Sequence, residues 1–172
     1  MHRLSAWTLL PAAAIVTSAY ATTYLTVEEA QGAIFPGAKL IPVPLTLTNA
    51  QVREIEKRAD VSVRNREPRV WRVDGGGLFI VDEVLGKHEF ITYAIGLNPD
   101  GTVRAIEVMD YRESYGYEIR HEAWRWQFVG MTAADPLKLD RDIKNISGAT
   151  LSCRHIADGV KRVLATYDVA LK

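Results

Sequence analysis

The chain has 172 residues, of which 48% are hydrophobic, and this length suits a single domain with a substantial core. Its 21 Lys and Arg residues balance 21 Asp and Glu residues, so the formal net charge is zero. This neutrality argues against nucleic acid or an anionic membrane surface as a partner, because both attract basic patches. The single cysteine, Cys153, excludes an internal disulfide and a CxxCH haem site.

Residues 1–21 are predicted to be a secretory signal peptide. A positive start, Met1-His2-Arg3, precedes a mostly apolar run from Leu4 to Val16, and Ala19-Tyr20-Ala21 forms a small-x-small cleavage pattern. The apolar run is shorter than the roughly 20 residues that span a bilayer, which favours cleavage over an uncleaved membrane anchor. The mature chain is therefore expected to begin at Thr22 in the periplasm, with membrane contact only if the segment stays uncleaved.

Two helices are predicted near the start of the mature chain. Thr26 with Glu29, and Thr48 with Gln51, have the spacing of capping boxes, in which the two residues bond each other's backbone amide. The intervening stretch Ile41-Pro42-Val43-Pro44 is predicted to be an extended connection, because proline disfavours helix in its own residue and the preceding one.

The middle of the chain predicts a sheet. Turn residues at Asp74–Gly77 and Asn98–Gly101 separate short apolar runs, a pattern that favours antiparallel strands. The triple glycine lacks the lysine and helix that follow a phosphate-binding loop, so it is interpreted as a turn. The predicted strands are Val70–Val73, Leu78–Val81, Phe90–Ile95 and Thr102–Met109.

Helical periodicity returns in the last third of the chain. From Glu118 onwards, Ile119, Ala123 and Trp126 have the spacing of one helix face. The final helix is predicted to bury a stripe of apolar residues and Cys153, with its charged residues lying away from that stripe. The stripe comprises Ile156, Val160, Val163, Leu164 and Tyr167, and the charged residues are Arg154, Asp158, Lys161 and Arg162. The predicted fold class is α+β, with a twisted, largely antiparallel sheet packed against helices.

The turn Ser147-Gly148-Ala149-Thr150 precedes this last helix, which is expected to start near Leu151. A helix start has unpaired amide groups and positive potential, so it suits an anion such as phosphate. Gly148 permits close approach of a ligand. The hydroxyl of Thr150 could cap the helix, hydrogen-bond a phosphate or be esterified by one, and spacing alone leaves these alternatives open.

The S-G-A-T turn, followed by Leu151-Ser152 and Asp158-Gly159-Val160, resembles the FMN-binding domain family. That family includes the covalent-flavin subunits of sodium-translocating quinone reductases and related electron-transport proteins. The resemblance implies that Thr150 carries FMN through a phosphoester, which a flavin transferase installs after export. It also implies that Ser147, Gly148, Ala149, Leu151 and Ser152 surround the phosphate at the N-terminus of the last helix.

A second segment supports the resemblance. The family has a motif of the type E-T-P-G-L-G beside the flavin, and this chain has Glu113, Ser114, Tyr115, Gly116 and Tyr117 in that place. The resemblance implies that these residues flank the ring or the ribityl chain. The family usually has an aspartate three residues before the S-G-A-T serine, where this chain has Lys144, and Asp142 lies two residues upstream.

The predicted organisation is a signal peptide at 1–21, an N-terminal part at 22–87 without an assignable motif, and an FMN-binding domain at 88–172. The predicted function is that of an exported electron-transfer flavoprotein with redox protein partners not identified by the sequence. The alternatives are a small flavin-dependent reductase and a non-redox domain in which the S-G-A-T turn only caps a helix. The scattered histidines have no spacing typical of a metal site on one helix.

Overall fold

The computed structural model describes residues 22–172, and the predicted signal peptide lies outside this part of the chain. These residues form an α+β fold with one six-stranded antiparallel sheet in the order β1-β6-β5-β4-β3-β2. The strands are β1 (Thr22–Thr23), β2 (Leu40–Val43), β3 (Arg69–Val73), β4 (Leu78–Leu85), β5 (Phe90–Leu97) and β6 (Val103–Tyr111). The main helices are α1 (Val27–Ile34), α2 (Asn49–Ala59), α3 (Glu122–Arg125) and α4 (Thr150–Thr166).

Both N-terminal helices begin as their capping boxes predict. At α1 the Thr26 hydroxyl accepts the amide of Glu29 at 3.2 Å, and the Glu29 carboxylate accepts the amide of Thr26 at 2.7 Å. Thr48 and Gln51 make the same reciprocal pair of bonds at α2. Each box pairs amides that a helix start would otherwise leave without a partner. Among residues 22–172, no helix has both the length and the apolar character required to cross a membrane.

The sheet confirms the predicted strands and adds two at its edges. The turn after β3 closes through the Gly76 amide, which donates to the Val73 carbonyl at 3.0 Å. The stretch predicted to be an extended connection is strand β2, which pairs with β3 in the register Pro42 to Trp71. Pro42 lacks an N–H, and an edge strand tolerates this because one of its sides has no neighbouring strand to bond. Strand β1 pairs Thr22 with Tyr111 at the opposite edge.

The helix predicted from Glu118 onwards is wrong as a continuous element. The chain forms three short helical turns there, Tyr117–Arg120, α3 and Trp126–Phe128, with His121 in an extended conformation between the first two. Tertiary packing explains the break, because the indole N–H of Trp124 donates to the Lys144 carbonyl at 2.8 Å and its ring packs edge-on against Phe128. Trp126, predicted to share one helix face with Ile119, is 65% exposed, whereas Ile119 is buried.

Helix α4 buries the predicted apolar stripe against the sheet, and Cys153 is buried with it. The prediction that all charged residues of this helix lie away from the apolar stripe is wrong for Arg162. Its side chain is buried and pairs with Asp82 of β4 at 2.6 Å. Asp158 pairs with Lys161 at 3.5 Å. A smaller apolar cluster that includes residues of α1 packs on the other face of the sheet. This packing places the start of α4 beside the loop that follows β6.

Candidate functional site

A cleft of about 480 Å³ lies at the start of α4, within the size range typical of ligand sites. Three segments line it: the turn between β4 and β5, the loop that follows β6, and the S-G-A-T turn with the first residues of α4. The structure thus brings together two segments that the sequence separates by more than thirty residues. The lining residues are Lys87, His88, Glu113, Ser114, Tyr115, Gly148, Ala149, Thr150, Leu151 and Ser152.

The S-G-A-T turn depends on glycine at its second position. Gly148 has a φ of +83°, a left-handed conformation that side-chain-bearing residues rarely adopt. A Cβ on Gly148 would meet no atom within 4 Å, so the backbone there borders open space. The amide of Ala149 donates to the Ile146 carbonyl at 3.0 Å and closes the turn. Helix α4 begins at Thr150, one residue earlier than predicted.

Thr150 does not cap α4, so the interpretation of the turn as only a helix cap is wrong for this residue. The cap position is Ala149, and no side chain makes a capping bond there. The Thr150 Oγ1 instead accepts a hydrogen bond from the side-chain amide of Asn145 at 3.0 Å. This bond occupies the hydroxyl as an acceptor and leaves its proton available. The other side-chain atom of Asn145, Oδ1, is buried without a hydrogen-bond partner among residues 22–172.

Tyr111, at the end of β6, joins the two predicted segments. Its hydroxyl lies 3.2 Å from the Ser152 hydroxyl and donates to the Tyr115 carbonyl. The ring is 3% exposed, and burial raises the pKa of Tyr111 above its ordinary value, so the phenol remains a hydrogen-bond donor at neutral pH. Ser152 is buried, and this contact fixes its side chain at the base of the cleft.

Gly116 makes the closest approach between the loop and the S-G-A-T turn. Its φ is +91°, and a Cβ built on it would lie 2.7 Å from the Ala149 Cβ and 2.7 Å from the Tyr111 hydroxyl. This contact gives Gly116 a packing role. Gly116 and Tyr117 are not among the residues that line the cleft, and neither is Ser147. Tyr117 is 54% exposed and contacts the His121 ring edge-on.

Glu113 connects the loop to the turn between β4 and β5. Its Oε1 accepts the backbone amides of His88 at 2.6 Å and Glu89 at 3.1 Å. Partial burial raises the pKa of Glu113, but hydrogen bonds from the amides of His88, Glu89 and Lys87 outweigh that effect, and the pKa lies below its ordinary value. Glu113 is therefore ionised at neutral pH and holds one wall of the cleft in place.

The polarity of the cleft suits a ligand with an anionic end and an apolar body. The start of α4 presents backbone amides with the positive end of the helix dipole, and Lys87 adds a cation. The Glu113 carboxylate in the same lining is bonded by amides of the turn between β4 and β5. Two large side chains at the cleft are exposed, Tyr115 at 80% and Leu151 at 39%, and they can contact a planar apolar group. An anion and an aromatic ring can thus be held side by side.

Lys144 and Asp142, the two residues upstream of the S-G-A-T turn that the family comparison singles out, have different surroundings. Lys144 is exposed, and its backbone is held on both sides, by the Gln127 side chain and the Trp124 indole. The Asp142 carboxylate accepts the Lys138 amide at 2.9 Å, and this bond lowers the pKa of Asp142. Asp142 is therefore engaged in its own turn.

Sequence reasoning missed four residues of this site: Lys87, His88, Tyr111 and Asn145. Lys87 and His88 belong to the turn between two predicted strands, and Tyr111 follows a predicted strand, so no periodic pattern distinguishes them. Asn145 precedes Thr150 by five residues within the same short stretch. The only sequence signal for Asn145 is a side-chain amide five residues before Thr150. The contact between the two side chains can be recognised only once the geometry of the turn is known.

Comparison with known proteins agrees with this chemistry. No curated protein matches the chain. Residues 86–165 match the family model of the FMN-binding domain, and this range contains every residue that lines the cleft. FMN has a phosphate, which suits the positive start of α4, and a planar isoalloxazine ring, which suits the exposed side chains of Tyr115 and Leu151. The segment 86–165 therefore belongs to the FMN-binding domain family, for which FMN is the cofactor.

Proposed function

We propose that the protein is an exported electron-transfer flavoprotein that carries FMN on Thr150 through a phosphoester. The observation that supports this most directly is the state of the Thr150 hydroxyl. It lies at the start of α4 and lines the cleft, it makes no capping bond, and it is held by the Asn145 amide. A hydroxyl in this position within an FMN-binding domain is suited to attachment.

The chain's own residues supply binding and orientation in this proposal. Amides of the first turn of α4 bind the phosphate, and the charge of Lys87 adds to their positive potential. Tyr115 and Leu151 provide the apolar surface for the ring. When bound, FMN supplies the capacity to accept and release electrons, and the protein tunes this capacity through nearby charge such as that of Glu113.

Asn145 is assigned a positioning role in attachment. Esterification forms a bond between the Thr150 Oγ1 and the phosphorus of FMN. It breaks the phosphoanhydride bond through which the flavin substrate of the transferase is activated, so a phosphate leaving group departs and the hydroxyl proton is released. The Asn145 amide donates to Oγ1, so the hydroxyl proton is directed away from Asn145, and the oxygen is held in one orientation. A flavin transferase in the exported compartment supplies the activated flavin, and Thr150 is the acceptor.

Protein partners are proposed as the electron donor and acceptor. Tyr115 is 80% exposed, so a ring packed against it lies near the molecular surface. Electrons can then pass to a docked protein without a buried substrate site beside the flavin. The redox partners and the flavin transferase are the two classes of protein that this proposal requires.

The test is to produce the protein with its signal peptide alongside a flavin transferase, and to precipitate it under denaturing conditions. The precipitate is expected to be yellow for the parent protein and colourless for Thr150→Ala. Ser147→Ala is the matched control, because it removes a hydroxyl from the same turn that does not line the cleft, and it should stay yellow. Covalent flavin in Thr150→Ala would refute the attachment site.

A further inference from the structure

A second cavity, of about 430 Å³, lies at the other end of α4. Thr150 and Arg162 are twelve residues apart on this helix, which places the two sites about 18 Å apart along its axis. The cavity is bounded by β3, β4, the segment after α2 and the last part of α4. Buried apolar side chains that line it include Leu47, Val70, Ile80 and Val163.

Arg162 lines this cavity, and only some of its N–H groups donate to acceptors within the protein. Its side chain is 9% exposed. Its guanidinium donates to Asp82 at 2.6 Å, to the Glu83 carbonyl at 3.1 Å and to the Ser62 carbonyl at 3.3 Å. A guanidinium has five N–H groups, so two of them have no acceptor among residues 22–172. The Nε of Arg162 has no acceptor among residues 22–172 and is not buried from solvent, so a spare N–H group borders open space and can donate to a bound group.

The charges around the cavity favour an anion. Asp82 accepts both Arg162 and the Tyr93 hydroxyl, at 2.7 Å, through the same oxygen, so its charge is already engaged. Arg64 lines the cavity and is exposed. The side chain of Arg69 is directed elsewhere, since its guanidinium lies 5.7 Å from the Trp71 ring centre. Glu83 also lines the cavity, but side chains alternate along β4, so its carboxylate lies on the face opposite Asp82, where it accepts the Thr92 hydroxyl at 3.3 Å. One cation thus remains in excess around the cavity, from Arg64 and Arg162 against Asp82.

We propose that this cavity binds a small organic anion, a carboxylate on an apolar body. The carboxylate accepts the spare N–H groups of Arg162, with Arg64 adding attraction at the rim, and the body fills the space between the apolar walls. Planar guanidinium groups match carboxylates in geometry, and ligand sites of this size are commonly apolar with a few placed polar groups. The site is separate from the cleft and does not rest on flavin attachment.

Octanoate is the probe, and 1-octanol, which has the same chain length and no charge, is its control. Calorimetric titration of the mature protein should show one saturable octanoate site, with octanol at least about tenfold weaker because it forms no charge-assisted bond to Arg162. Thr150→Ala should bind octanoate like the parent protein. Absence of saturable binding, or equal binding of octanol, would overturn the proposal.

Two substitutions locate the site without removing Arg162, whose loss would leave Asp82 without its ion-pair partner. Val63 lines the cavity and is half-buried, so Val63→Trp should fill the space and abolish octanoate binding.

Arg64→Ala should weaken octanoate binding on the order of fivefold, the upper range for an exposed charge. Arg66→Ala is the matched control, because Arg66 bonds Asn49 and does not line the cavity. Parent-like binding in a folded Val63→Trp protein, or loss of binding in Thr150→Ala, would place octanoate elsewhere.

Discussion

The hydroxyl of Thr150 has one hydrogen-bond partner among the residues that the structure describes, the side-chain amide of Asn145. Asn145→Ala removes that donor and lets the threonine side chain rotate. We expect covalent flavin to be incorporated about fivefold more slowly, the effect of losing one ordinary hydrogen bond. The measurement is the time course of flavin absorbance in denatured protein after the transferase is added. Asn65→Ala, an exposed change remote from the cleft, is the control, and a parent-like time course for Asn145→Ala would refute the role.

Glu113 places a carboxylate on the wall of the cleft. Glu113→Gln removes a negative charge, which favours the reduced flavin because that form carries more negative charge. The reduction potential is therefore expected to rise, while attachment at Thr150 persists. A redox titration followed by flavin absorbance measures the change. An unchanged potential and an unchanged spectrum would place the loop away from the cofactor.

The same carboxylate should contribute to acid sensitivity. The pKa of Glu113 is lower in the folded protein than its ordinary value near 4.5, so its bonds stabilise the fold above that pH. This contribution is lost as the pH falls through the lowered pKa. Glu113→Gln should remove that component, and the stability difference between parent and variant should shrink towards low pH. Thermal unfolding across a pH series checks this, and a difference that stays constant with pH would contradict it.

Thr150 and Glu113 could be found from the sequence because each belongs to a short motif with recognisable neighbours. Asn145 and Tyr111 could not, because their roles depend on where a turn and a strand end in space. Arg162 was misplaced for a related reason. Its position in the helix pattern indicated an exposed face. The folded structure brings Asp82 of β4 next to it, and this ion pair offsets the cost of burying the guanidinium.

At the scale of elements, two glycines hold the cleft by different means, and their substitutions should differ. A side chain at Gly148 meets open space, so Gly148→Ala should cost only the left-handed backbone strain of about 1–2 kcal/mol. Gly116→Val adds a collision with Ala149 to the same strain and should destabilise the fold by more. It should also disturb flavin binding by displacing Ala149. Denaturant unfolding of both variants tests this ranking, and equal losses of stability would contradict the contact.

The segment before the S-G-A-T turn carries Lys144 where the family usually has an aspartate. If that aspartate serves recognition by the transferase, Lys144→Asp should raise the fraction of chains that carry covalent flavin. The backbone should tolerate the change, because Lys144 makes its bonds to Gln127 and Trp124 through backbone atoms. Intact mass gives the fraction, and Lys39→Asp controls for net charge. A fraction that does not change would remove Lys144 from the recognition argument.

The elements themselves were predictable where local chemistry decides them. Capping boxes start α1 and α2, and turn residues separate β3 to β6, because these signals act within a few residues. Strand β2 and the broken helix after Gly116 were not predictable. Pro42 obscured an edge strand, and Trp124 reaches the distant Lys144 carbonyl, a contact that overrides helical periodicity.

At the scale of the whole molecule, the sheet unites the two parts of the chain that the structure describes, residues 22–85 and 86–172. Strand β4 pairs with β5 over eight residues, from Leu78 with Leu97 to Leu85 with Phe90. The family match begins at residue 86, in the turn between these two strands. Residues 22–85 thus contribute four strands and two helices to one fold. The second cavity draws on both parts, and sequence motifs gave no sign of it.

The central claim, covalent FMN on an exported chain, is tested most directly by one intact-mass spectrum of the denatured protein purified from its native compartment. The predicted mass is that of residues 22–172 plus one esterified FMN. Digestion of the same sample should place the added mass on the peptide that contains Thr150. The mass of the unmodified polypeptide, with flavin released on denaturation, would contradict covalent attachment, and a mass that retains residues 1–21 would contradict cleavage.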